Sequence, residues 1–267
     1  MRTFAPLADR DLPVPGELLD ALVDTLGPPG PWVLIGATAR DLALILGGVT
    51  LPRRATNDVD IAVAAHDAGD FDALLATIGE PTRAWQRRRL LGQHVDVVPF
   101  GDLERDGDVV IHESSVSVLG CAEAAANADL VTLPSGRLLP VAPLELIAVL
   151  KLIAFAGRQP AETKDADDLL TVLRAASEGI YGDETWDDEV AMAATDFDHE
   201  LAGAYRLGRR GIACVTNDRV PRVLQVATQS QRTVRLVWRG TRAGLLEAWL
   251  EGLWAGGQPG DAEASSV

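Results

Sequence analysis

Apolar and polar positions along the chain change their period several times, and each change marks an element. Leu18, Leu19, Leu22 and Leu26 recur at helical spacing, which predicts an amphipathic helix over Glu17 to Leu26. Gly27-Pro-Pro-Gly-Pro31 stops it. Trp32 to Ile35 is a short apolar run that reads as a buried strand, and after Gly36 the stretch Thr38 to Leu46 reads as a helix, so the segment is strand, glycine turn, helix. A loop rich in Gly, Pro and Arg covers Gly47 to Asn57. Strict alternation then predicts strands over Asp58 to Ala64 and His94 to Phe100, with a helix over Asp70 to Ile78 between them and a shorter strand over Val109 to His112. Leu130 to Leu133 and Arg137 to Val141 flank Pro134-Ser135-Gly136 as a hairpin. Pro143 suits the first position of a helix running to about Ala156. Gly157 to Pro160 breaks that helix, another spans about Lys164 to Ala176, and from Trp186 onward the pattern is mainly helical. This order predicts an α+β, or mixed α/β, fold: a mixed first domain over 1–142, a helical domain over 143–255 and a disordered tail over 256–267.

Composition narrows the class. With 267 residues, 47% hydrophobic and 24% charged, the chain can bury a real core. The longest apolar helical stretch, Leu144 to Ala156, contains Glu145 and Lys151 and is too short to cross a bilayer. Met1 to Pro15 has no apolar core of a signal peptide, so none is expected. Cys121 and Cys214 make neither a disulfide framework nor a metal cluster, and these features together point to the cytoplasm and away from a membrane.

Charge is uneven. The net charge is −15, and of the 24 basic residues only Lys151 and Lys164 are lysines. Between Arg206 and Arg242 nine arginines meet one acidic residue, Asp218. That stretch reads either as a phosphate-tracking surface for RNA or as arginines on solvated helix faces or paired with the acidic remainder. Arg87-Arg88-Arg89 forms a basic knot, and His66, His94, His112 and His199 are not spaced as a zinc site.

The chemistry concentrates in Gly36-Ala37-Thr38, Asp58-Val59-Asp60 and Asp96. On a strand, residues two apart face the same side, so Asp58 and Asp60 place two carboxylates about 7 Å apart. Such a pair repels unless water or a cation lies between. Hard oxygen ligands of this kind suit Mg²⁺ or Mn²⁺, which take further oxygens from substrate phosphates. Asp96 is placed to supply a third carboxylate. Gly36 lets the backbone turn tightly and approach a phosphate. The helix that follows offers its N-terminal N–H groups, and Thr38 a hydroxyl. An isolated Asp-x-Asp is as often a solvated strand edge; the ordered set is what favours a site.

These residues carry a resemblance. Leu34-Ile-Gly-Ala-Thr-Ala-Arg-Asp41 with Arg54-Ala-Thr-Asn-Asp-Val-Asp-Ile61 resembles the first motif of polymerase-β-type nucleotidyltransferases, and within them the AbiEii/AbiGii toxin group. Ala37 stands where that group usually has a second glycine, while Arg54, Thr56, Asp58 and Asp60 meet its Arg-x-Thr-x-Asp-x-Asp pattern. The resemblance continues through Lys151, Arg158 and Lys164-Asp-Ala-Asp-Asp-Leu169, and covers roughly Trp32 to Leu173. It implies a nucleotidyltransferase-fold first domain whose cleft the helical domain completes. By the same match Lys151 would contact the triphosphate, Arg158 and Lys164 would belong to nucleotide binding, and Asp165 and Asp168 to the later motif, in which Asp168 matters functionally. Lys164 and Asp168, four apart, are expected on one helix face.

The expected reaction is transfer of a nucleoside monophosphate from an NTP to a hydroxyl, with Asp58, Asp60 and Asp96 around Mg²⁺ or Mn²⁺ and pyrophosphate leaving. The toxin resemblance implies an RNA acceptor, a tRNA 3′ end, and a cognate antitoxin partner. Two alternatives stay open. One is a small-molecule, antibiotic-type nucleotidyltransferase, which acidity would suit. The other is a nucleotidyltransferase-like binding module without activity, with Ala37 as its sign.

Overall fold

The computed structural model describes residue 4 and residues 7–50, 58–157, 164–238 and 241–258, with the side chains of 232–237 and 241 left aside. The chain divides into two compact units, Met1–Leu46 with Pro52–Pro143 and Gly47–Leu51 with Leu144–Val267.

The first unit is built on a mixed sheet. Its elements are α1 (Gly16–Leu26), β1 (Trp32–Ile35), α2 (Gly36–Leu46), β2 (Asp58–Ala65), α3 (Ala68–Thr77), β3 (Glu80–Pro81), β4 (Arg87–Leu90), β5 (Gln93–Gly101), β6 (Asp108–Ile111), β7 (Ser114–Ser117), α4 (Cys121–Ala126), β8 (Asp129–Thr132) and β9 (Leu138–Val141). Seven strands order as β3-β4-β5-β2-β1-β9-β8, and β6 with β7 forms a separate ribbon. The β2–β5 and β1–β9 pairs are parallel and the rest antiparallel. The expected α+β class is the observed one.

Alternation along β2 and β5 explains their burial. Val59, Ile61 and Val63 on β2, and Val95 and Val97 on β5, are at most 1% exposed. They put one parity of each strand into the core, each worth about 1.5–3 kcal/mol of burial. The other parity carries Asp58, Asp60, His94 and Asp96, all only partly buried. On the opposite layer of patterning, α1 buries Leu18, Leu19 and Leu22, as its spacing requires.

The sequence pattern does not reveal β3, β4, β7 or α4. Strand β4 is Arg-Arg-Arg-Leu, with no apolar alternation, and forms because a tight turn folds it onto β5. Leu91 and Gly92 both have positive φ, +50° and +80°, which is the backbone twist a two-residue hairpin loop needs. Helix α2 also begins earlier than its pattern suggests, at Gly36 itself.

The second unit is helical: α5 (Leu144–Gly157), α6 (Lys164–Ala175), α7 (Gly179–Trp186), α8 (Glu189–Ala194), α9 (His199–Ala213), α10 (Val220–Val237) and α11 (Thr241–Gly256). Helix α5 is apolar nearly all round and is buried from Leu144 to Val149 and again at Lys151, Leu152, Ile153 and Phe155, as a central helix must be. Helices α9 and α11 pack backbone to backbone. A Cβ on Gly208 would collide with the Trp249 carbonyl oxygen, so only glycine permits that approach. None of the described helices is long and apolar enough to cross a membrane. Of the expected tail, only residues 256–258 are described; the remainder lies outside the described residues.

Candidate active site

Register brings the first-unit acidic residues together. Asp60 pairs with Asp96 across β2 and β5, and Asp58 with His94. Asp60 also pairs with Ile35 at the end of β1, and Asp96 with Arg87 on β4. Directly paired residues share a face. Arg87, Asp96, Asp60 and Ile35 therefore form one row across four strands, and Asp58 and His94 lie beside it.

Gly36 closes the row. It follows Ile35 directly, and its φ of +72° is a left-handed conformation that favours glycine. A Cβ at this position would come within 2.7 Å of the Asp60 Cβ and closer still to its Oδ2. The glycine thus permits both the turn into α2 and the seat of the Asp60 carboxylate against that turn. Ala37 and Thr38 are buried. The Thr38 hydroxyl donates to the Asp58 carbonyl oxygen at 3.3 Å, so in this structure it ties α2 to the start of β2. Next in α2, Arg40 and Asp41 form a buried ion pair through Nε and Nη2, at 2.9 and 2.7 Å from Asp41 Oδ1.

Arg87 is the residue that reading the sequence missed. Its Nε donates to Asp96 Oδ1 and its Nη2 to Asp96 Oδ2, both at 2.7 Å, a two-pronged fork. The same Nη2 lies 3.5 Å from Asp58 Oδ2, and His94 Nδ1 lies 3.5 Å from Asp58 Oδ1. The hydrogen bonds to Asp96, followed by the charges of Asp96, Asp58 and Asp60, push the Arg87 guanidinium further up from its ordinary value. In sequence, Arg87 is one of three arginines in a basic knot. The available signal was Leu91-Gly92 ahead of the Asp96 strand, which folds an arginine back onto it.

Among the described residues no three His, Cys, Asp or Glu side chains converge as a ready metal-holding group. Asp58 and Asp96 converge instead on the guanidinium of Arg87. The donor chemistry nevertheless fits a hard divalent cation, because two carboxylates already face one positive group and Asp60 is next in the row.

The remaining predicted residues fall elsewhere. Arg54, Thr56 and Arg158 lie outside the described residues. Lys151, Asp165 and Asp168 belong to the second unit and form a cluster of their own. Lys151 Nζ donates to Asp168 Oδ2 at 2.7 Å and to Asp165 Oδ1 at 3.3 Å, and all three side chains are buried. Lys164 and Asp168 both lie on α6, four residues apart as expected, with Lys164 exposed at its first position and Asp168 buried. Among the described arginines of the 206–242 stretch, Arg206, Arg209 and Arg210 turn to carboxylates. Arg206 pairs with Glu184 and Asp188, Arg209 with Asp188, and Arg210 with Glu184 at 3.5 Å. For these three the pairing alternative holds over a phosphate-tracking surface.

Compared with protein-family models, the sequence matches none, and compared with curated proteins it matches none.

Proposed function

We propose that this chain is a metal-dependent nucleotidyltransferase that moves a nucleoside monophosphate from an NTP to an acceptor hydroxyl and releases pyrophosphate. The observation that carries this reading is the single row in which Asp60 and Asp96 are paired, Asp58 lies beside them, and Gly36 turns the backbone against Asp60. Acidic oxygens and a glycine turn at a helix start, side by side, are what a metal-bound triphosphate requires.

Asp58 and Asp60 would hold Mg²⁺ or Mn²⁺, with Asp96 joining them. When bound, the metal supplies charge neutralisation at the phosphates and a lowered pKa for the attacking hydroxyl. Gly36 and the first N–H groups of α2 orient the outer phosphates, and positioning of this kind is most of what phosphoryl transfer needs. By resemblance alone, Lys151, Arg158 and Lys164 are assigned to the nucleotide, and Lys151 and Asp168 to catalysis. The NTP pool such an enzyme draws on places it in the cytoplasm.

The acceptor we propose is RNA, a tRNA 3′ end, which would make the chain a growth-arresting toxin with an antitoxin partner; support comes from the AbiEii resemblance. A second reading has one observation in its favour. The chain carries a net charge of −15, which suits a cationic small-molecule acceptor.

Pyrophosphate release with each of the four NTPs and Mg²⁺, comparing wild type with Asp60→Ala, tests this. Release that needs total tRNA and disappears in the variant is the expected result. Release that needs an aminoglycoside instead transfers the assignment to the second reading. A folded protein that releases no pyrophosphate with either acceptor sinks the enzyme reading.

A further inference from the structure

Building on the nucleotidyltransferase reading, we infer that Arg87 is the resident counter-cation of the acidic face, and that a divalent ion enters by exchanging with it at Asp96 and Asp58. The guanidinium occupies both oxygens of Asp96 and brings the same Nη2 within 3.5 Å of Asp58. It therefore sits between two of the carboxylates that would hold the metal. A second cation sharing those oxygens is repelled by the first, and screening is weak because the Asp96 side chain is only 18% exposed.

Arg87 has a way out. A third of its side chain, 33%, is in solvent. Its strand does not depend on the side chain, since four residue pairs join β4 to β5 through the backbone. The guanidinium can turn outward while β4 stays in place. Without metal, Arg87 offsets the repulsion of the row Asp58, Asp60 and Asp96; with metal, that task passes to the ion. The acidic face thus remains compensated in both states, and Arg87 sets how much metal is needed to open it.

The test is Mn²⁺ binding without nucleotide, followed as the loss of the free-ion electron paramagnetic resonance signal, for wild type, Arg87→Gln and Arg87→Lys. Exchange predicts that Arg87→Gln binds Mn²⁺ about tenfold more tightly than wild type. Arg87→Lys should fall between them, because lysine cannot fork both oxygens. Adding Asp58→Asn to Arg87→Gln should abolish the gain. Equal or weaker binding by Arg87→Gln overturns exchange and makes Arg87 a clamp that positions Asp96, while the nucleotidyltransferase reading stands or falls on pyrophosphate release. Absence of Mn²⁺ binding in every protein, with or without an NTP, overturns both. Should Arg87→Gln fail to fold, Arg87→Lys answers the same question through the rise in melting temperature on adding Mn²⁺, which exchange predicts to exceed that of wild type.

Discussion

In the first unit Arg87 faces Asp96 and Asp58 with 33% of its side chain in solvent, whereas in the second Lys151 faces Asp165 and Asp168 with 9% of its own exposed. Both clusters set one basic side chain against two aspartates, so their chemistry is nearly the same. Their surroundings are not. Water can compensate the Asp58 carboxylate, 35% exposed, while a cation leaves it. No such help reaches Asp165 or Asp168, at 3% and 5%. Burial therefore makes a change of partner easier at the first cluster than at the second.

The widest separation should come from removing each cation. Lys151→Met removes the buried cation that Asp165 and Asp168 share and is expected to cost about 3–5 kcal/mol in urea unfolding, whereas Arg87→Gln should cost about 1–2 kcal/mol. Similar losses at the two positions would break the comparison.

Next in size is Gly36→Ala, which places a side chain at positive φ and against Asp60. We expect about 1–3 kcal/mol of destabilisation and loss of NTP-dependent pyrophosphate release. A variant with full release would show that the Asp60 seat is not part of the site.

The smallest effect lies at a fully solvated pair. The hydrogen bond that His66 Nδ1 donates to Asp102 Oδ2 at 2.7 Å, together with the charges of Asp102, Asp70 and Asp67, raises His66 above its ordinary 6.5. A raised histidine stabilises the fold fully below its unfolded value, and that contribution fades as pH rises through the folded value. Melting temperature should fall slightly between about pH 6 and pH 8, and Asp102→Asn should remove that part of the slope. A slope unchanged by Asp102→Asn would assign it to other groups.

The sequence made one kind of information plain. Alternation in Asp58-Val-Asp-Ile and in Val95-Asp-Val97 marks which side chains share a face, because a strand has a period of two whatever its neighbours are. It could not say that β2 and β5 are adjacent, parallel and in register, since that depends on β1, β4 and the turns between them. Arg87 was illegible for the same reason. Its partner is nine residues away across a hairpin, and a run of three arginines has no apolar rhythm to announce a strand. For Lys151, the surrounding Leu, Ile and Phe give no sign of an acidic partner, yet the structure folds α6 over it and supplies two carboxylates. Arg206, Arg209 and Arg210 looked like a basic stripe because their acidic partners, Glu184 and Asp188, lie at least 18 residues earlier in the chain.

The parallel pairing of β2 with β5 acts as a form of quality control. Eight consecutive residue pairs, from Asp58–His94 to Ala65–Gly101, hold the two strands in one alignment. A slip of one residue in either strand would turn its valines to water and its aspartates into the core. A misaligned chain could therefore not persist as a stable but idle protein. Whichever molecules survive folding have Asp60 beside Asp96, so proofreading of the core is also proofreading of the carboxylate row.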